Sequence, residues 1–333
     1  MSSELIIQRN SDNRAFDISG LASNISWSTD IDQAQPGRLT FSFVEVDHIN
    51  PDYGDFIRFR FQNQNVFIGR IFSKIRSVDG MMKVTAYDQM RFLKKTESYV
   101  FNARTSSDIF SRICRDFGIR NRVVNPSPFA LGRKVHNNAS LYKIMNDALI
   151  ETMENHHHQY LIRDNFGTLE HVHLNTLQTT VVIGDQSRAT GFNFQGSIDK
   201  DTYNHIKLTK ESREGRRRRI VTENDSGTTR RWGPLEYHEN ITENLNRAQM
   251  ERRARQLLRA KNRPTRALSM TALGDVRIQA GNGVVLNLQQ LRDEGFSTNQ
   301  RAIVTNCTHN WTSNSYEMNL KLNVVGNSAT SSN

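Results

Sequence analysis

Polar and apolar residues alternate at period two in several short stretches of the first hundred residues. In Arg38-Leu39-Thr40-Phe41-Ser42-Phe43-Val44 the apolar Leu39, Phe41 and Phe43 share one face, and Pro36-Gly37 just before it signals a turn. Asn24–Ser28 alternates in the same way, and Glu4–Arg9 is a short apolar run. Asp55–Phe61 and Val66–Phe72 flank the polar Gln62–Asn65 and read as a hairpin. Val78-Asp79-Gly80, with an Asp-Gly pair suited to positive φ, precedes a strand at Met82–Ala86. Short strands at this spacing predict a small antiparallel β-barrel or sandwich over residues 1–102.

A helical period takes over at Thr105. Thr105-Ser106-Ser107-Asp108 has the spacing of a capping box, with Asp replacing the usual Glu. Ile109, Phe110, Ile113, Cys114 and Phe117 follow on one face, and Gly118 supplies the stop. After the Pro126–Pro128 loop, a second helix starts near Ser140, with Leu141, Ile144, Met145, Ala148, Leu149 and Met153 at helical spacing. Gln159–Arg163 and Thr168–Leu174 form a predicted hairpin, making residues 103–178 an α/β insert. Strand texture returns at Thr180–Ile183 and runs through Ile198–Leu208. A charged loop over 211–231 follows, within which Asn224–Arg231 is expected to be mobile. One long helix is expected over Thr242–Ala260, ended by Pro264, and then strands at Val284–Leu288, Arg301–Thr305 and Met318–Val324. The predicted class is mainly β with an α+β insert: two small antiparallel β-barrel domains, at 1–102 and 179–326, plus the insert, one long helix and a disordered tail at 327–333.

Composition adds location to this picture. The net charge is +10, but residues 205–266 hold 17 Lys/Arg against 8 Asp/Glu, while the rest of the chain carries 27 against 26. The basic excess is therefore regional, unlike that of a uniformly basic nucleic-acid binder. Hydrophobic residues are 36% of the chain, and the mean hydropathy of −0.62 is low for one large globule. Such values fit several small domains, or surface that is hidden only on assembly. The first residues show no secretory pattern, and no apolar run is long enough to cross a membrane, so no membrane anchor is expected. Cys114 and Cys307 share no metal-type spacing and read as buried, reduced thiols made in a reducing cytoplasm.

Candidate chemistry is sparse. In His156-His157-His158 neighbouring side chains point to opposite faces of a strand, so His156 and His158 could share a metal only with help from His171 or His173. A solvated entry to the next strand is the simpler reading. Neither HExxH, a G-x-S-x-G elbow nor a phosphate-binding glycine motif occurs, and no carboxylates form a recognisable pair. No catalytic residue, cofactor or metal site is predicted. The candidate contact residues are Arg216, Arg217, Arg218, Arg219, Arg230 and Arg231, supported by Arg247, Arg252, Arg253, Arg255 and Arg259 of the long helix. They could mate with an acidic protein surface, stay solvated, or bind phosphates. Only Trp232 and Tyr237 lie nearby as stacking groups, which favours the protein partner over nucleic acid.

An ordered series of stretches then carries a resemblance: Ser26–Ala34 with Gly37–Phe41, Val66–Phe72, Val84–Leu93, Thr105–Gly118, Asp164–Gly167, Ser197–Asn204 and Trp232–Tyr237. The series resembles the XkdQ/YqbQ-like tail hub proteins of phages and phage-derived contractile particles. The Arg216–Arg219 run and the His triplet are not part of it. The resemblance implies a homotrimer whose chains each carry two related barrels, giving a pseudo-sixfold ring. That ring would join a hexameric tail tube to a trimeric central spike, contact other baseplate wedge proteins, and leave a channel through which DNA passes only as cargo. It implies a structural protein of the virion tail baseplate, assembled in the host bacterial cytoplasm, and not an enzyme. The alternatives are a nucleic-acid-binding protein using the Arg-rich region 213–266, and a tail-associated cell-wall hydrolase.

Overall fold

The computed structural model describes residues 3–31, 35–46, 49–185, 187–211, 218–241 and 245–324. The expected tail at 327–333, and Arg216 and Arg217 of the basic loop, lie outside the described residues. Two compact units emerge, one of residues 1–193 with 269–333, the other of residues 194–268.

The first unit opens with seven strands: β1 (Ser3–Gln8), β2 (Ala15–Asp17), β3 (Ala22–Asp30), β4 (Arg38–Val44), β5 (Phe56–Phe61), β6 (Gln64–Arg76) and β7 (Met81–Tyr87). Alternation decides which face each buries. On β4, Leu39, Phe41 and Phe43 are buried while the residues between them are not, as the period-two pattern predicts. Together with Leu5, Ile7, Ile57, Phe59 and Val84 they build one core. The expected hairpin is present as β5 and β6, with Gln62 and Asn63 both at positive φ in its turn.

The insert follows. Strand β8 (Thr96–Phe101) lies ahead of the expected start at 103 but pairs with β10 (Lys134–Ser140), and the insert further contains α1 (Ser106–Asp116), β9 (Asn121–Val123), α2 (Leu141–His156), β11 (Tyr160–Asp164) and β12 (Leu169–His173). The capping box at Thr105 and Asp108 forms reciprocally. Ile109, Phe110, Ile113 and Cys114 of α1 pack against Leu141, Ile144, Met145 and Ala148 of α2. The antiparallel pair β8–β10 is hidden in the sequence, because Val100 and Val135, opposite each other in register, are both exposed and blur the alternation that Tyr99 and the buried Phe101 would mark.

The chain continues through β13 (Gln178–Gly184) and β14 (Ala189–Ser197). It passes into the second unit through β15 (His205–Glu211), β16 (Arg218–Asn224), α3 (Ser226–Trp232), β17 (Glu236–Asn240) and α4 (Arg247–Lys261). It ends with β18 (Thr265–Leu273), β19 (Gly283–Asn287), β20 (Gln300–Trp311) and β21 (Tyr316–Val324).

Three local expectations are corrected. The stretch Ile198–Leu208 is not one strand: β14 stops at Ser197 and β15 starts at His205. The segment expected to be mobile at Asn224–Arg231 holds helix α3, because Asp225 caps it by accepting from Thr228 N at 2.8 Å. The long helix runs Arg247–Lys261, not Thr242–Ala260. Asn246 and Gln249 form a capping box that fixes its start.

The sheet topology gives the first unit its unity. Thirteen of the described strands form one sheet in the order β14-β18-β21-β20-β3-β4-β7-β6-β5-β1-β2, with β19 joining β20 and β13 joining β19; the others form the smaller sheets β8–β10, β9–β12–β11 and β16–β15–β17. Strand β20 serves both ends of the chain. Its first half, Gln300–Ile303, pairs with β19, and its second half, Asn306–Trp311, pairs with β3 along Asp30–Ile25. Strand β21 covers its other side from Ala302 to Trp311, and a bulge between Val304 and Asn306 marks the changeover. Mainly β architecture with an α/β insert is thus observed, and the strand path is an open one.

Candidate interaction sites

The basic region belongs to the second unit. There β15 pairs antiparallel with β16 and parallel with β17, and α4 covers the sheet through Met250 and Ala254, packed on Ile206, Leu208 and Val221. Asn204 ties the unit's turns together: its amide donates to Gly233 O at 2.8 Å, and its Oδ1 accepts from Leu235 N at 2.9 Å. Arg219 is exposed on β16, opposite Lys210 in the register of β15 and β16. Arg230 and Arg231 are exposed in the last turn of α3, 11 and 12 positions further along the chain. Several helix arginines are already engaged. Arg253 meets Glu239 at 2.6 Å, Arg255 meets Glu223 at 3.4 Å, and Arg247 meets Glu251 at 2.9 Å within α4. These arginines fasten α4 to its sheet and to itself, so they are not the row of phosphate ligands that the sequence left open.

A second locus was missed because tertiary structure alone creates it. Asp88 follows β7 and Asp164 ends β11, and the fold brings these two carboxylates together at the junction of the N-terminal sheet and the insert. Asp88 accepts from Gly37 N at 2.8 Å and from Met90 N at 3.0 Å, capping the 3₁₀ turn Gln89–Lys94. Gly37 is glycine for a reason, since a Cβ there would lie 2.3 Å from Asp88 Oδ2. Asp164 accepts from Gly167 N at 2.8 Å, and Gln89 lies against it while donating to Gly167 O. Burial, then the charge of Asp164, pushes Asp88 well above the usual carboxylate range. Burial likewise raises Asp164 to about 6, against the pull of Gly167 and Gln89. Next to them, burial acts to raise Glu170, but Asn165, Arg122 and Arg163 outweigh it and hold that carboxylate low. Four of the stretches that carry the resemblance supply this junction: Gly37–Phe41, Val66–Phe72, Val84–Leu93 and Asp164–Gly167. The signal was available in that coincidence, but nothing in the spacing of the two aspartates shows that they meet.

The His triplet is structural in geometry. His156 stacks on Phe129 at 3.8 Å, and His157 is the left-handed C-cap of α2, donating its N–H to Met153 O. His158 packs against Phe129 and lies edge-on to His173 at 5.4 Å. His171 is turned away, between Ser106 Oγ at 3.1 Å and Asn125 O at 3.0 Å, and burial lowers it to about 4. Among the described residues no group of three or more His, Cys, Asp or Glu could hold a metal ion. Cys114 and Cys307 are free and buried, and burial raises both thiols, that of Cys114 to about 12. Cys307 does sit 3.1 Å from His309 Nε2, but that nitrogen lies 2.7 Å from Ile278 O, and Tyr316 OH is 3.0 Å from Nδ1. The imidazole is thus held within a closed network. No helix is long and apolar enough to cross a membrane among the described residues.

The fold is that of phage tail proteins. It matches the 43 kDa tail protein of prophage MuSo2 from Shewanella oneidensis with a TM-score of 0.70 at 11% identity, over 96% of this chain and 98% of that one. It also matches E. coli c3393, described as a type VI secretion component with structural similarity to the T4 tail proteins gp27 and gp5. That match has a TM-score of 0.56 at 11% identity, over 92% of this chain and 74% of that one. The chain belongs to the YQBQ-like family, whose sequence model matches residues 25–323. Among its relatives are two Bacillus subtilis proteins. One is YqbQ, 26% identical over 72% of this chain and 73% of the relative. The other is XkdQ of the phage-like element PBSX, 25% identical over 71% of this chain and 73% of the relative.

Proposed function

We propose that the chain is a structural hub of a phage-type tail baseplate. In this reading three copies form a ring that joins the tail tube to the central spike, surrounds a channel, and contacts the wedge proteins of the virion baseplate. Residues 1–102 and 179–326 each supply one barrel-type module, and residues 103–178 form a peripheral insert. The observation that carries the reading is the double use of β20, which pairs with β3 of the strand set in residues 3–87 and with β19 and β21 of the set in residues 178–324. Two sheet modules per chain make six in a trimer, which is the count needed to face a sixfold tube. In this reading the role involves no chemistry of its own, and assembly takes place in the host cytoplasm.

In the same reading Arg216–Arg219, Arg230 and Arg231 seat an acidic surface of a neighbour in the assembly. The engagement of Arg247, Arg253 and Arg255 with carboxylates favours this over nucleic-acid binding. Purified protein is expected to give threefold rings with a central pore in negative-stain images, and a trimer mass in sedimentation. A stable monomer at high concentration, inert towards tube and spike proteins, would overturn the proposal.

A further inference from the structure

A cleft of about 610 Å³ opens at the junction held by Asp88 and Asp164. Ile68, Phe92, Phe117 and Ile119 supply apolar wall, and Phe92 is 44% exposed there. Three cations line the same cleft from three separate parts of the fold: Arg70 on β6, Lys95 after the 3₁₀ turn, and Arg120 beyond α1. Two are steered by aromatic rings. The Arg70 guanidinium lies 3.9 Å from the Phe56 ring centre and donates to Gly54 O at 3.0 Å, while the Lys95 ammonium lies 4.3 Å from the Phe117 ring centre. The one carboxylate in the lining, Asp88, is buried and occupied with the backbone of Gly37 and Met90. An apolar wall with cations and no exposed acid suits a ligand that combines an apolar body with negative charge.

We propose that this cleft docks an acidic chain segment of a neighbouring protein, which places a large apolar side chain against Ile68 and Phe92 and carboxylates against Arg70, Lys95 and Arg120. Cations set on three elements match charges spread along a chain better than the single headgroup of a lipid. The cleft itself is firmly built: Gly167 sits so close to β6 that a Cβ there would lie 2.6 Å from Ile68 Cγ2, and its φ is +79°. The inference rests on reading the chain as a component of an assembly, but it does not depend on the ring.

The test uses the full chain and a short fluorescein-labelled peptide with one phenylalanine among glutamates, followed by fluorescence anisotropy. Saturable one-to-one binding that weakens with salt is expected. Lys95→Glu combined with Arg120→Glu should weaken it by about tenfold or more, as should replacing the peptide's phenylalanine by serine. Both substituted residues are exposed, so the variant should keep the wild-type melting temperature. Arg219→Glu with Arg230→Glu should bind the peptide like the wild type. Equal binding by the Lys95→Glu, Arg120→Glu variant would overturn the proposal. So would binding to phosphatidylglycerol vesicles with none to the peptide. A chain that binds the peptide but forms no ring removes the hub and leaves the docking site, whereas a ring that ignores the peptide does the reverse.

Discussion

Asp164 shows how one buried side chain makes stability depend on pH. Its carboxyl is raised to about 6 in the fold, against about 4 in an unfolded chain. Between these values the folded state holds a proton that the unfolded state has lost, so this group's contribution falls as pH rises from about 4 to about 6, and is flat beyond. Asp88 acts in the same direction. The buried His171 and His309, each lowered to about 4, act oppositely, because there the unfolded chain binds the extra proton up to about pH 6.5. The contribution of Asp164 is therefore read as a difference. Denaturant melts of wild type and Asp164→Asn across pH 4–7 should show the variant gaining about 1–3 kcal/mol relative to wild type towards neutral pH. A constant difference would mean that Asp164 is ionised throughout. The glycines of the junction are just as exacting. Gly167→Ala combines a positive φ with an overlap on Ile68, and should cost about 1–3 kcal/mol in the same assay.

At the level of elements, capping and packing decide where each begins. Thr105→Ala removes one side of a formed capping box and should lower stability by about 1 kcal/mol. Met250→Ala empties the contact of α4 with Ile206 and Leu208, and should cost about 2–4 kcal/mol in a thermal or urea melt. Elements with a buried face were legible in the sequence. Leu39, Phe41 and Phe43 announce β4, and Ile109, Phe110 and Ile113 announce α1. Elements that turn apolar residues to solvent, or that rest on a polar cap, were not. Strands β8 and β10 turn valines to solvent, and α3 is a Gly- and Thr-rich run that becomes helical because Asp225 caps it. The sequence pattern puts the start of α4 too early because Leu245 looks like part of the helix's apolar stripe, whereas the helix begins behind the cap Asn246. For the candidate sites the sequence found the arginines but not their partners. Glu223 and Glu239 come from strands β16 and β17, and only the docking of α4 brings them near Arg255 and Arg253. The Asp88–Asp164 pair was invisible for the same reason.

On the scale of the whole molecule, the decisive element is β20. It touches the first core directly, since Trp311 packs edge-on to Phe59 at 4.9 Å and against Phe61 at 5.6 Å. Thr308 lies between Ser28 of β3 and Asn319 of β21. Proline there removes a donor from a strand that is paired on both sides, and should cost about 3 kcal/mol or more. Losses of this size should appear as one transition in circular dichroism, with strands of both chain ends melting together. Two separate transitions would show that the two strand sets stand independently.

Synthesis adds a consequence in time. The hydrogen bond from Asn306 to Asp30 spans 276 residues, and that from Ser26 to Asn310 spans 284. A ribosome therefore finishes β3 long before it supplies β20, leaving a strand edge without its mate throughout that interval. A chain halted before Gln300 should accumulate in the insoluble fraction, while the full-length chain made under the same conditions stays in solution.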